Sequence, residues 1–85
     1  TAIYRGLSAA RAARAEGETK VGPLTRAVRG AIEAVGGEVE YIELVSPADL
    51  QPIAETDSAP ADGVIAVAAW FGGVRLIDNA AIAGG

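Results

Sequence analysis

Two periods of hydrophobic spacing divide this chain. Over residues 3–16 the apolar positions recur at three- and four-residue steps, with Ile3, Leu7, Ala10 and Ala13 (or Arg14) on one face. That spacing predicts a helix, and frequent alanine supports it. Gly17 reads as its stop. Arg5, Arg11 and Arg14 fall largely on the opposite face, which reads as a solvated surface in preference to an anion-binding strip. After a turn over residues 17–22, Pro23 suits the first position of a second helix. Leu24, Val28, Ala31, Ile32 and Val35 form its apolar stripe, and Gly36-Gly37 ends it. The short link implies an antiparallel pair.

The period then changes to two. VEYIELV, residues 39–45, is rich in β-branched and aromatic residues and predicts a strand. Tyr41 and Val45 are expected on one face, Ile42 and Leu44 on the other, with Glu40 and Glu43 on opposite faces. Two carboxylates invite a general acid/base reading. Solvent-reaching charges that discourage edge pairing account for them as well. In residues 46–50, Ser46, Pro47 and Asp49 resemble a capping box and predict one short helical turn. Residues 55–62 (ETDSAPAD) read as a surface loop and as the most mobile segment.

GVIAVAAWFGGVRLIDN predicts a β-hairpin with arms at residues 64–71 and 74–78, turning at Gly72-Gly73. Asp78 or Asn79 is expected to cap a last helical turn over residues 80–83, and Gly84-Gly85 to fray. The turn sets Phe71 opposite Val74, Trp70 opposite Arg75 and Ala69 opposite Leu76. One face then holds Ile65, Val67, Ala69, Phe71, Val74 and Leu76, and the helices are expected there. The other holds Val64, Ala66, Ala68, Trp70, Arg75 and Ile77. A cation–π contact between Trp70 and Arg75 would contribute about 0.5–1 kcal/mol. Strands apolar on both faces are usually covered on both. Another domain, or another copy of the chain, is therefore expected against Val64, Ala66, Ala68, Trp70 and Ile77. The whole reads as one small α+β domain over residues 1–85, with two layers, two main helices and short helical turns; the strand order stays open.

Composition narrows the chemistry. A chain of 85 residues buries only about 60–65 % of its unfolded surface. Its net charge of -4 argues against a nucleic-acid footprint. The longest apolar run is too short for a membrane span, and nothing resembles a signal peptide. Without cysteine there are no disulfides or thiolate zinc sites, which fits a cytoplasmic setting. Without histidine, Ser8, Ser46 and Ser58 have no partner for a Ser-His-Asp system. No glycine run has phosphate-loop form, Asp57 and Asp62 lack EF-hand spacing, and Lys20 reads as a solvated lysine on a turn. In the hairpin, Arg75 could clamp an anion with Asp78 as a base. The alternative is a strand arginine paired with Trp70 or a carboxylate, beside a capping Asp78-Asn79. The chain has no Met and opens almost directly on a helical pattern, which reads as a processed or cut piece.

EYIELVSPADLQPI and VIAVAAWFGGVRLIDN, with the two-helix pattern before them, resemble the C-terminal domain of the pantothenate synthetase (pantoate–β-alanine ligase) family. The resemblance runs over about residues 2–82, and VAAWFG followed by VRLIDN is its most specific part. It implies a helical and three-stranded antiparallel domain that acts as a lid. It also implies that the whole protein condenses pantoate with β-alanine through a pantoyl-adenylate, using ATP and Mg²⁺. In the family that chemistry belongs to an N-terminal nucleotide-binding domain with a histidine-bearing motif absent from these residues. No catalytic, cofactor-binding or metal residue is therefore carried over, and the fragment alone is expected to be inactive. Arg75, Leu76, Ile77, Asp78 and Asn79 match the family's late motif and are read as structural. Two alternatives stay open: a freestanding module that self-associates through the Val64–Trp70 face, and a small carboxylate-binding domain using Arg75 and Trp70.

Overall fold

In the computed structural model, which describes residues 1–83, the elements run α1 (Ala2–Ala15), α2 (Val21–Glu33), β1 (Glu38–Val45), β2 (Val64–Phe71) and β3 (Val74–Ala81). The strands form one antiparallel sheet in the order β1-β2-β3. This is the α+β class expected, with the strand order now fixed.

Local chemistry sets the helix ends. The Thr1 hydroxyl accepts the Tyr4 N–H at 3.1 Å and caps α1. At its far end Glu18 N–H donates to Ala13 O at 3.0 Å and Gly17 N–H to Arg14 O at 3.2 Å. At α2, Gly37 N–H donates to Ile32 O and Gly36 N–H to Glu33 O, both at 3.0 Å. Both pairs satisfy carbonyls that a helix end otherwise leaves orphaned. α2 starts at Val21, two residues before Pro23. No side chain caps it. Val21 and Gly22 instead donate to the Asp57 and Glu55 carbonyls, each at 3.0 Å, and Ala59 N–H donates to Thr19 O at 2.7 Å. The stretch read as most mobile is thus tied along its first half to the start of α2, a partnership that small polar composition does not announce.

Ile3, Leu7 and Ala10 of α1 and Leu24, Val28 and Ile32 of α2 are buried with Leu44, Ile65, Val67, Ala69 and Ile82 in one core. Each large side chain sealed there contributes about 1.5–3 kcal/mol relative to exposure. The helices approach closely at Gly6, where a Cβ would stand 2.9 Å from Val28 Cα. Val35 lies past the last turn of α2 and is exposed. The helix layer covers β1 and β2 but not the start of β3. Val74 and Leu76, expected under the helices, are exposed.

Of the two expected helical turns, one forms and one does not. Over residues 46–50 the chain makes a single turn closed by Leu50 N–H on Ser46 O at 2.8 Å. Asp49 Oδ1 accepts the Gln51 N–H at 3.1 Å, so the pairing of a capping box does not form. The segment then runs back along β1: Ile53 N–H donates to Leu44 O at 2.8 Å, and Val45 bridges Pro52. The turn that does not form is the one at residues 80–83. Ala80 and Ala81 belong to β3, opposite Ile65 and Val64, and Ile82 N–H donates to Gly63 O at 3.0 Å. A waiting partner strand satisfies these backbone groups and overrides alanine's helix preference. Asp78 and Asn79 therefore lie within a strand, paired with Val67 and Ala66, and cap no helix. Gly84-Gly85 lie outside the described residues.

The candidate functional site on the hairpin

The hairpin register is the expected one: Phe71↔Val74, Trp70↔Arg75 and Ala69↔Leu76. Gly72 and Gly73, at φ 57 and 90, both adopt the left-handed backbone of a two-residue turn, where a Cβ is unfavourable.

On the other side of β2, β1 carries a bulge. Val39 pairs with Ala69 and Tyr41 with Ala68, so Glu40 is the extra residue between them. The bulge lets Val39, Ile42 and Leu44 share the core side. Tyr41 and Glu43 oppose Ala68 and Ala66 on the outer side. The separation of Tyr41 and Val45 from Ile42 and Leu44 holds. The placement of Glu40 and Glu43 on opposite faces does not, because the extra residue swings Glu40 onto the outer face beside Trp70.

There Glu40 gathers the hairpin's polar groups. Its Oε1 accepts the Trp70 Nε1–H at 3.1 Å and the Arg75 Nε–H at 2.8 Å. Its Oε2 accepts from the second terminal nitrogen of Arg75, also at 2.8 Å. The fork of the guanidinium matches the carboxylate bidentately. Trp70 and Arg75 do meet across the strands, and Glu40 links them. The Arg75 hydrogen bonds are the main cause holding the Glu40 carboxyl below its ordinary value of 4.5, with the Trp70 hydrogen bond adding to it. Glu40 in turn raises the Arg75 guanidinium above its usual value. Glu40 is thus ionised at neutral pH with both oxygens engaged, which removes it as a general acid.

The motif Arg75–Asn79 is split by the strand's alternation. Arg75 and Ile77 oppose Trp70 and Ala68 on the outer face, whereas Leu76 and Asp78 oppose Ala69 and Val67 on the other. Arg75 and Asp78 consequently do not converge on one ligand, and the clamp-and-base pair is not assembled. Asp78 Oδ1 accepts the N–H of its neighbour Asn79 at 2.8 Å. Glu40 is the residue the sequence pattern left out of this group. The three-residue step from Val39 to Ile42, both apolar, was the available sign of a bulge.

The outer face is open in this chain. Trp70 and Ile77 are 41 % and 58 % exposed. Ala68 is buried all the same, between its cross-strand neighbours Tyr41 and Ile77. Among the described residues no group of three histidine, cysteine or acidic side chains that could hold a metal ion converges, and no pocket is found. No helix of the described residues is long and apolar enough to cross a membrane.

Comparison with known proteins gives one family. The profile described as pantoate-beta-alanine ligase matches residues 1–81. A pantothenate synthetase of Anaeromyxobacter dehalogenans is 42% identical over 78 residues, covering 92% of this chain and 26% of the relative. A pantoate–beta-alanine ligase of Arabidopsis thaliana is 42% identical over 77 residues, covering 91% of this chain and 24% of the relative. The crystal structure of pantothenate synthetase from Thermus thermophilus superposes with a TM-score of 0.78 at 32% identity, over 95% of this chain and 28% of that one. The chain thus spans about a quarter of the length of the relatives it matches.

Proposed function

The chain belongs to the pantoate–beta-alanine ligase family, and on that premise we propose that it is the C-terminal lid domain of an ATP-dependent ligase joining pantoate to β-alanine. A preceding nucleotide-binding domain, outside these residues, holds ATP and Mg²⁺ and forms the pantoyl-adenylate. This chain covers that site and supplies no proton transfer. The setting is cytoplasmic.

The observation that carries the reading is the internally paired cluster on the hairpin. Glu40, Trp70 and Arg75 pair with one another, so the guanidinium fork of Arg75 is already engaged by a carboxylate of this chain. What the hairpin presents outward is a tied, largely apolar sheet face, suited to lying against a neighbouring domain. A cover of this kind excludes water from a reactive acyl intermediate until the amine arrives.

Pantoate-dependent ATP–pyrophosphate exchange tests the division of labour. The 85-residue chain alone is expected to give no exchange above buffer, and substantial exchange would overturn it.

A further inference from the structure

Residues of an antiparallel strand direct their backbone N–H and C=O alternately to one neighbour and to the other. Phe71 and Val74 close the two-residue turn as a hydrogen-bonded pair. Val74, Leu76, Asp78 and Ala80 therefore direct these groups to β2, and Arg75, Ile77, Asn79 and Ala81 direct theirs away from the sheet. β3 is an edge strand, and such an outward row is a template for a further strand.

Two of the outward groups are already engaged by side chains. The Asn79 N–H donates to Asp78 Oδ1 at 2.8 Å. The Ala81 carbonyl accepts from Arg11 Nε, on α1, at 2.9 Å. At the end of β1 the opposite edge of the sheet is covered by other means, since the returning segment bridges Val45 through Pro52, which has no N–H to offer.

We propose that Asp78 and Arg11 are edge guards, which occupy outward backbone groups of β3 and so keep a second copy of this chain from extending the sheet. A second copy is the strand to exclude because β3 suits itself in antiparallel register. With Ile77 opposite its own equivalent, Arg75 faces Asn79 and Leu76 faces Asp78, and no like charges oppose. That register needs the Asn79 N–H that Asp78 holds and continues toward the Ala81 carbonyl that Arg11 holds. The guard gives two residues of the LIDN motif and one arginine of α1 a role that owes nothing to ligand binding.

The test is sedimentation equilibrium with residue-resolved amide exchange on the 85-residue chain and on the variants R11A/D78A and R11A/D78N. R11A/D78A is expected to self-associate at least about tenfold more tightly than the parent, the size of effect that freeing one or two hydrogen-bonding groups brings. Protection of Ile77 and Asn79 should rise with its concentration. R11A/D78N, which keeps a side-chain carbonyl acceptor, should fall back toward the parent. In the dilute parent, Asn79 N–H should exchange more slowly than the outward N–H of Arg75 and Ile77. Equal association by parent and R11A/D78A, association with protection rising away from β3, or an Asn79 amide no slower than Ile77 would each overturn the proposal.

Discussion

Arg75 on β3 reaches across the whole width of β2 to grip Glu40 on β1, with two hydrogen bonds of 2.8 Å, and Trp70 of the strand between donates to the same carboxylate. The two edge strands are thereby tied over the central one by side chains as well as by the backbone ladder. Both charged groups remain more than a third exposed, so the tie is a positioning device that salt and acid can loosen.

Acid should open it in a defined sense. The folded Glu40 carboxyl titrates below its ordinary value of 4.5, so the pairing is fully present above that value and is lost as pH falls through the lower, folded one. Trp70 is the chain's single tryptophan and reports this directly. Its emission should change with a midpoint below 4.5, and in Glu40→Gln that acid transition should vanish while the fold persists. A midpoint at or above 4.5, or an unchanged transition in Glu40→Gln, would contradict the assignment.

The helix pair depends on Gly6. An added Cβ would meet Val28 Cα at 2.9 Å and Val28 O at 3.0 Å, both backbone atoms that cannot rotate away. Gly6→Ala should cost about 1–3 kcal/mol, as overpacking does. In a chain of this size that lowers the melting temperature by several degrees, measurable by circular dichroism.

Coverage by the helices is uneven along the sheet, and paired substitutions reveal it. Ile65 is 1% exposed and Leu76 is 39% exposed. Ile65→Ala should cost about 2–5 kcal/mol in urea unfolding, and Leu76→Ala within about 0.5 kcal/mol. Equal losses would mean that the helix layer extends over β3.

At the hairpin turn the two glycines differ from any β-branched replacement. Gly73 sits at φ 90, so Gly73→Val should destabilise by about 1–2 kcal/mol. Gly72→Asn, at φ 57, should be close to neutral because Asn-Gly suits the same turn.

Much of this was legible in the sequence because it is local. The stripes Ile3-Leu7-Ala10 and Leu24-Val28-Ile32 repeat at helical spacing, and Gly72-Gly73 fixes the hairpin register without outside help. The misses share one cause, which is a partner distant along the chain. Ala80 and Ala81 read as helix until β2 is seen to pair with them. The 55–62 loop lies on the surface as its composition reads, but its hydrogen bonds to the start of α2 come from residues far along the chain. Glu40 reads as a plain strand charge until the bulge turns it onto Trp70 and Arg75. Of the candidate site, the Trp70–Arg75 meeting was visible from register. The carboxylate that joins them was not, because a bulge shifts face assignment by one residue and leaves only a weak trace in residue type.

The central claim is that these residues close a site whose chemistry lies elsewhere in the protein. The most direct measurement is the ratio of ATP consumed to pantothenate formed, in the complete protein, in the protein lacking these 85 residues, and in the latter with the chain supplied separately. The account predicts that the ratio rises when the chain is removed, as activated pantoate is lost to water, and falls again when the chain is returned. Pantothenate formation with the same ratio in all three would contradict it.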